Sequence, residues 1–364
     1  MEREGYAPVE TRDIPNAEQV FSGGWRLTKG ITYLDVPESW AIYDGEGFLL
    51  IDPGGELPVE TVEDARSVKP LAAAATLSWR SDKIEALREL EQIYDAPVKA
   101  VLLTHGDADH TNNVENVTGP EVPIYVDRRE WWSTLSPEKQ FAAGAKNFSK
   151  SALTGNDPGR LRQRDEGFQT FARSMNNPRG GEQAHARKQA LAERFRDYPE
   201  MFPIAAGQLD VVAVPGHAPG EHGFYVPEEK LFIGGDLITT SKKGQADRLN
   251  IFLPEANIYD AIGSLKHLQS MDIEKYYPAH GPPILGREEF QAHVRTLLDD
   301  AEQLVDRILE RAEKYQEENV HDLVGRVFVQ HFDRPGMSEQ SKKSWIMSVL
   351  RDQPTETSPD VATL

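Results

Sequence analysis

The apolar run Ala100-Val101-Leu102-Leu103 drives straight into Thr104-His105-Gly106-Asp107-Ala108-Asp109-His110, which packs four metal-capable side chains into six residues. A buried strand that stops there lets its ligands splay from the loop at its carboxyl end. A loop of Asp and His is also ordinary solvated surface, so the stretch needs partners elsewhere. Three other strand-like runs supply them. Leu209-Asp210-Val211-Val212-Ala213-Val214 ends in Pro215-Gly216-His217, Leu231-Phe232-Ile233 ends in Gly234-Gly235-Asp236, and Glu274-Lys275-Tyr276-Tyr277 ends in Pro278-Ala279-His280-Gly281. Gly or Pro beside each ligand permits tight turns and close backbone approach. Four strand ends carrying matched ligands point to a fold that gathers them at one site. With no cysteine in the chain, any metal there must be held by nitrogen and oxygen donors, and disulfides and thiolate clusters are excluded.

Around these runs the 364 residues read as an alternation of strands and helices, long enough for a sizeable core. Strands are expected at Ile31–Val36, Trp40–Tyr43 and Phe48–Asp52, with Asp44-Gly45 as a hairpin turn. Ile84, Leu87, Leu90 and Ile93 recur at helical spacing over about 82–94, and a helix is expected from Asp109. A strand over Val122–Val126 follows. From about 128 to 203 the character changes to helical patterns, loop punctuation and many arginines, among them Arg160, Arg162, Arg164 and Arg173, which reads as a helical insertion. The scaffold resumes at Leu209, passes through a helix at about 257–271, and closes at His280. A long amphipathic helix begins near 287, two shorter ones are expected at about 319–332 and 338–350, and the tail from Pro354 lacks an apolar pattern. This gives residues 1–285 as one domain, with the insertion at about 128–203, and 286–364 as a C-terminal helical domain and tail.

A net charge of -19 argues against a general nucleic-acid or anionic-membrane binder. No apolar run approaches the roughly 18 residues of a membrane span, and the first residues lack a signal-peptide pattern, so a cytoplasmic protein is expected.

The ligand set, taken together, resembles that of the metallo-β-lactamase superfamily, whose signature loop His-x-His-x-Asp-His is followed by a His after Pro-Gly, a bridging Asp and a last His. The matching residues are His105, Asp107, Asp109 and His110, then His217, Asp236 and His280, and Asp52 in Leu50-Ile51-Asp52-Pro53-Gly54 matches the family's early Asp-x-Gly motif. The resemblance covers about 30–285, interrupted by the insertion. It implies a four-layer αββα sandwich with two divalent metal ions along one edge. His105, Asp107 and His217 would hold the first, Asp109, His110 and His280 the second, and Asp236 would bridge. The C-terminal helices are similar to the tail of superfamily hydrolases related to glyoxalase II, where they would shape a substrate entrance or a dimer interface.

Asp107 departs from the family pattern, which has a histidine there. A carboxylate adds charge and a hard oxygen donor, which moves the site from zinc, the family's usual metal, towards iron or manganese. Two adjacent ions lower the pKa of a shared water, so hydroxide exists near neutral pH without a dedicated side-chain base. The implied reaction is hydrolysis of a small ester, thioester, lactone or related substrate, with Asp236 and Asp109 as the catalytic carboxylates and Asp109 or a neighbour returning a proton to the leaving group. The alternative is a di-iron or manganese oxidoreductase on the same fold. The substrate is a small molecule, and an anionic one if the arginines of the insertion cover the metal edge. His222 reads equally as a substrate contact or a strand-start residue, and Trp131-Trp132 as the core of a cap.

Overall fold

The computed structural model describes residues 14–15, 17–27, 37–54, 81–111, 113–131, 189–240, 248–251, 256–314, 346 and 349–350. The strand expected at 31–36, most of the insertion, the helix expected at 319–332 and the tail from 354 lie outside these residues.

Two sheets stack face to face. The first runs β1 (Ala17–Phe21), β2 (Gly24–Leu27), β3 (Ser39–Tyr43), β4 (Phe48–Ile51), β5 (Val98–Leu102), β6 (Ile124–Tyr125) and β7 (Phe195–Arg196), in that spatial order. Its first four strands pair antiparallel and β4 to β7 pair parallel. The switch falls where α1 (Ser81–Tyr94) carries the chain from β4 to β5, since parallel neighbours need a crossover. The second sheet has the order β15 (Ile284–Leu285), β14 (Lys275–Tyr277), β11 (Leu231–Ile233), β10 (His222–Val226), β9 (Gly207–Ala213), β8 (Met201–Ile204). Only β11 and β14 pair parallel there, through the crossover helix α4 (Ile258–Ser270). A short ribbon, β12 (Ile238–Thr239) with β13 (Arg248–Leu249), stands apart from both sheets.

Side-chain alternation sorts the apolar residues into three interfaces, because successive strand residues point to opposite faces. Trp40 and Ile42, Leu49 and Ile51, and Ala100 and Leu102 face the second sheet, where they meet Phe224, Val226, Leu231, Ile233 and Tyr277. Ala41, Phe48, Leu50 and Val101 point the other way, against Ala86, Leu87 and Leu90 of α1. On the outer face of the second sheet, Phe232 and Tyr276 pack under α4 and under α5 (Arg287–Lys314) through Leu265, Phe290, Val294 and Leu297. Three interfaces make four layers, α-β-β-α. Strands covered on both faces need apolar residues at every position, which is why Phe48-Leu49-Leu50-Ile51 is buried throughout. Ile346 and Val349 join the core beneath α5, so the C-terminal residues described share the sandwich's own interior.

Several details differ from the sequence reading. The polar lead-in contains the β1–β2 hairpin, whose alternation is too weak to mark it. The end of the span expected to be a helical insertion holds β7 and all but the last residue of β8, which pair with the first and second sheets. Phe195 and Phe202 are buried on opposite cores, so the scaffold resumes well before Leu209. The helix expected from Asp109 is two short turns, α2 (Ala108–Thr111) and α3 (Val114–Val117), broken at Asn113. Among the described residues no helix is long and apolar enough to cross a membrane.

Phe224 lies fully buried between the sheets. Replacing it with Ala should cost about 3–5 kcal/mol of unfolding free energy, read from denaturant titration, while the same truncation at exposed Leu285 should cost about 0.5 kcal/mol or less.

Candidate metal centre

Each ligand sits just past a strand, in a turn that its neighbours fix. After β5, the Asp107 carbonyl accepts from the amides of His110 (3.0 Å) and Thr111 (3.1 Å). That turn starts α2 and folds His110 back beside His105, with ring centroids 4.2 Å apart. After β9, the Ala218 carbonyl accepts from Gly216 and Glu221, closing a tight turn around His217. Gly216 is in the left-handed region (φ +153°), and a Cβ there would lie 2.7 Å from Ala261, so the turn must be glycine to seat against α4. After β11 and β14 the parallel pairing continues into the loops. Gly234 donates to Tyr277 O (2.8 Å) and Ala279 donates to Gly235 O (3.1 Å), which sets Asp236 abreast of His280.

The result is two groups of donors sharing one carboxylate. His105, His217 and Asp236 form one, and His110, Asp236 and His280 the other; in each group the ligand atoms lie within 4.8 Å of one another. Asp236 Oδ1 stands 3.4 Å from His110 Nε2 and 3.2 Å from His280 Nε2, while Oδ2 stands 3.8 Å from His217 Nε2. Asp107 turns into the first group, its Oδ2 3.4 Å from His217 Nε2 and 3.6 Å from His105 Nε2. The structure thus brings together His105, Asp107, His110, His217, Asp236 and His280. The backbone of Asp109 lies in α2, and its side chain is outside the described ones.

Residues 33–132 match the family model described as the metallo-beta-lactamase superfamily. The chain is 24% identical over 274 residues to a linear primary-alkylsulfatase of Pseudomonas sp., a match covering 70% of this chain and 43% of that protein. It is 19% identical over 211 residues to a beta-lactamase-like protein 2 homolog of Caenorhabditis elegans, covering 56% and 49%. The chain therefore spans less than half the length of these curated relatives. Among solved structures, a metallo-beta-lactamase family protein from Thermus thermophilus superposes with a TM-score of 0.53 at 17% identity, covering 92% of this chain and 95% of that one. A stereoselective inverting sec-alkylsulfatase from Pseudomonas sp. gives a TM-score of 0.53 at 15% identity, covering 93% and 49%. The fold is that of metallo-beta-lactamase family structures, and residues 33–132 carry the match to the superfamily's model.

The donor set fits the metals on which the superfamily depends. His105 Nε2 and Asp236 Oδ1 are buried with no hydrogen-bond partner among the described residues. A buried polar atom left bare costs about 1–3 kcal/mol, which a coordinated cation would relieve. The opposite ring nitrogens are taken. His105 Nδ1 meets Thr104 Oγ1 at 3.0 Å, His110 Nδ1 meets Asp52 Oδ2 at 2.9 Å, and His217 Nδ1 meets the Asn250 carbonyl at 2.8 Å. Such outer bonds fix the tautomer that leaves Nε2 as the donor.

Asp52, expected as a structural motif residue, adopts φ +43° to reach this position, and it also accepts from the Thr104 amide (2.8 Å) and hydroxyl (2.7 Å). Three residues the sequence reading did not single out complete the support. Glu130, 2% exposed, accepts from Gly220 N (2.8 Å) and Gly106 N (3.3 Å) and so ties the two loops of the first donor group. Glu221 is fully buried and accepts from Leu237 N (2.8 Å). Asn250 touches Asp236 as well as His217. Their positions between longer runs, where a lone acid or amide reads as surface, gave no signal. His222 sends its amide to Thr104 O (2.9 Å) and its Nδ1 faces Gly220 O (2.9 Å), a role in fastening the strand start. Tyr198 packs on its ring and donates to Leu103 O (2.6 Å). Trp131 packs on Phe195, at the rim of the core beneath α1.

Electrostatics follow the geometry. Burial would raise the Asp236 carboxyl, but the facing imidazoles of His280, His110 and His217 outweigh it and hold it far below the usual range. Burial would likewise raise Asp107, and His105 and His217 pull it well down. Burial would lower His217, yet Asp107 and Asp236 push it up to about 10. Without metal, His217 therefore binds its proton more tightly folded than unfolded. Its stabilising contribution is complete below the unfolded value of 6.5 and is lost as pH rises towards 10. The depressed carboxylates contribute above the unfolded value of 3.8 and lose that contribution as pH falls. The metal-free protein should be most stable between about pH 4 and 6.5 and should soften towards pH 10. A bound ion takes the place of the His217 proton, so the metal-loaded protein should keep its melting temperature across the alkaline limb. Thermal melts with chelator and with metal check this, and parallel pH curves would overturn it.

Proposed function

We propose that the protein is a metal-dependent hydrolase acting on a small ester-type substrate, with alkyl sulfate monoesters as the first class to test. The observation that carries this is the sharing of Asp236 between two imidazole pairs, which suits two cations held side by side. When bound, such ions supply an acidified water and a Lewis acid for the substrate's oxygen. The chain's own part is to hold them. His105, Asp107 and His217 would form one position, His110 and His280 the other, with Asp236 common to both. Asp109, in the same loop, is assigned to the second position and to the proton that the leaving alkoxide must gain. Hydrolysis breaks the bond between the acid group and the alcohol, and water contributes a hydroxyl to the acid and a hydrogen to the alcohol. The sulfate class is supported by the resemblance to two alkylsulfatases; carboxylic esters, thioesters and lactones present the same demand for water and for leaving-group protonation. The net charge of -19 supports a small-molecule partner over a nucleic acid, and zero cysteines accord with a cytoplasmic setting. The C-terminal helices remain the proposed dimer surface or substrate entrance.

The position of Asp107 supports a second reading. Its carboxylate faces both imidazoles of the first group, so that group offers two nitrogens and two acids. Such a donor set suits iron or manganese as well as zinc, and favours higher oxidation states. A di-iron or manganese oxidoreductase is therefore the alternative.

Metal analysis of the purified protein, with turnover measured on alkyl sulfates, carboxylic esters, thioesters and lactones, separates these readings. The hydrolase reading expects two ions per chain and oxygen-independent turnover of at least one class. Asp236→Ala should then lose both ions and at least about a hundredfold in kcat/KM, since removal of a ligand to both positions disables each. Unchanged metal content in that variant would show the centre to be misassigned, and turnover that consumes oxygen would install the oxidoreductase. Asp107→His should raise the zinc-to-iron ratio taken up from an equimolar mixture. An unchanged ratio would show that Asp107 is not a ligand.

A further inference from the structure

The ribbon of β12 and β13 begins one residue after Leu237 and ends at Leu249, and Asn250, the next residue, stands back at the metal edge the chain has just left. Asn250 meets the centre three times. Its amide donates to Leu237 O at 2.9 Å, its carbonyl faces His217 Nδ1 at 2.8 Å, and its side-chain Nδ2 donates to Asp236 Oδ2 at 3.3 Å. Its neighbours make this placement rigid. Leu249 and Ile251 are both buried, in the core with Leu237, Ile238, Ile258 and Ala261. In an extended segment the residue between two inward-facing ones must point the opposite way, here onto Asp236.

Asp236 has the harder geometric task of the two. Its Oδ1 faces His110 and His280, and its Oδ2 faces His217. A carboxylate's terminal torsion is broad and two-fold, so packing alone leaves it free to turn towards either pair. A donor fixed on Oδ2 removes that freedom. The side chain must present its nitrogen there, because an amide oxygen facing a carboxylate would repel it.

The geometry points to Asn250 as a positioning residue that pins Asp236 in the orientation needed to serve both donor groups at once. This rests on the metal-centre reading above and extends it to a residue outside the ligand set. Because the bond to His217 comes from the main chain, substitution of the Asn250 side chain leaves that ligand's support in place and isolates the effect on Asp236.

The test loads the full chain with Mn(II), follows stoichiometry and affinity by equilibrium dialysis, and records the magnetic interaction of the two ions by electron paramagnetic resonance at saturating metal. Wild type should bind two ions that interact through the shared carboxylate. Asn250→Ala should bind the first ion nearly as wild type does and the second about 10–100-fold more weakly, with a diminished interaction when both are bound. Asn250→Asp, equal in size but lacking the donor, should show the same loss, and Asn250→Gln, which keeps the donor, should recover part of it. A merely structural residue would shift the metal-free melting temperature and leave the interaction of two bound ions unchanged. If Asn250→Ala and Asn250→Asp match wild type in second-ion affinity and in the magnetic signal, Asn250 does not position Asp236 and the inference is overturned while the metal centre stands. If wild type itself takes up fewer than two ions, the reading beneath it falls and this inference with it.

Discussion

Asp236 places a carboxylate in a buried space walled by imidazoles from both sheets, and much of the surrounding structure exists to make that placement tolerable. A buried charge is costly unless it is paired. Here the pairing comes from His110, His217 and His280, which arrive on three separate loops. Bringing those loops to one point requires β11 and β14 to lie in parallel and in register, so that their ends extend together past the sheet. It also requires β9 to turn sharply against α4 at Gly216, and β5 to hand its loop back over itself through α2. The two-glycine approach to Asp236 belongs to the same requirement: a Cβ on Gly235 would lie 2.5 Å from Glu221 Oε1, so only glycine leaves room for the buried acid behind the ligands.

The division of labour between faces and edge explains why the scaffold and the chemistry are separable. All three interlayer interfaces are apolar, and a central strand such as β4 spends every position on packing. Polar function is left to the strand ends, where the backbone leaves the sheet and side chains are free to converge. Ligand sites in sheet proteins gather at such carboxyl ends for this reason. The layered core thus fixes where a site will lie without fixing what it does, and specificity falls to loops and insertions.

That separation also sets what could be read from the sequence. The strand ends were legible because a long apolar run that stops at Gly or Pro beside a ligand carries two signals at once, as at Val101–His105 and Ile233–Asp236. The helix α1 was legible from the spacing of Ile84, Leu87, Leu90 and Ile93 alone. The β1–β2 hairpin was not, because Gln19 and Glu18 interrupt its alternation, and β7 and β8 were lost among basic, helix-like neighbours. The supporting residues were the least legible. Glu130 and Asn250 act through contacts to residues 90 and 14 positions away, and nothing local distinguishes a buried acid that caps two amides from a surface one. Asp52 was found only because it follows a buried strand within a recognisable motif. Its work, orienting His110 from a left-handed backbone, leaves no mark in the local pattern.

The supporting acids bear on the meaning of Asp107. Asp52 spends its oxygens on the Thr104 amide and hydroxyl and on His110 Nδ1, and Glu130 spends its oxygens on two glycine amides. Glu221 gives one oxygen to the Leu237 amide, and burial raises its pKa against the pull of His217 and His105, which favours the neutral form. Asp52 and Glu130 are therefore committed to holding the loops and His110 in place. Among the described carboxylates, Asp107 and Asp236 are the ones that face the Nε2 atoms of His105, His110, His217 and His280. With Asp109 assigned to the His110–His280 position, each position would have two imidazoles and one aspartate of its own beside the shared Asp236. A histidine in place of Asp107 would break that balance, giving the first position three imidazoles and one acid fewer than its neighbour. The departure at Asp107 thus makes the two positions alike in donor set, and both would be harder and more anionic than three imidazoles allow.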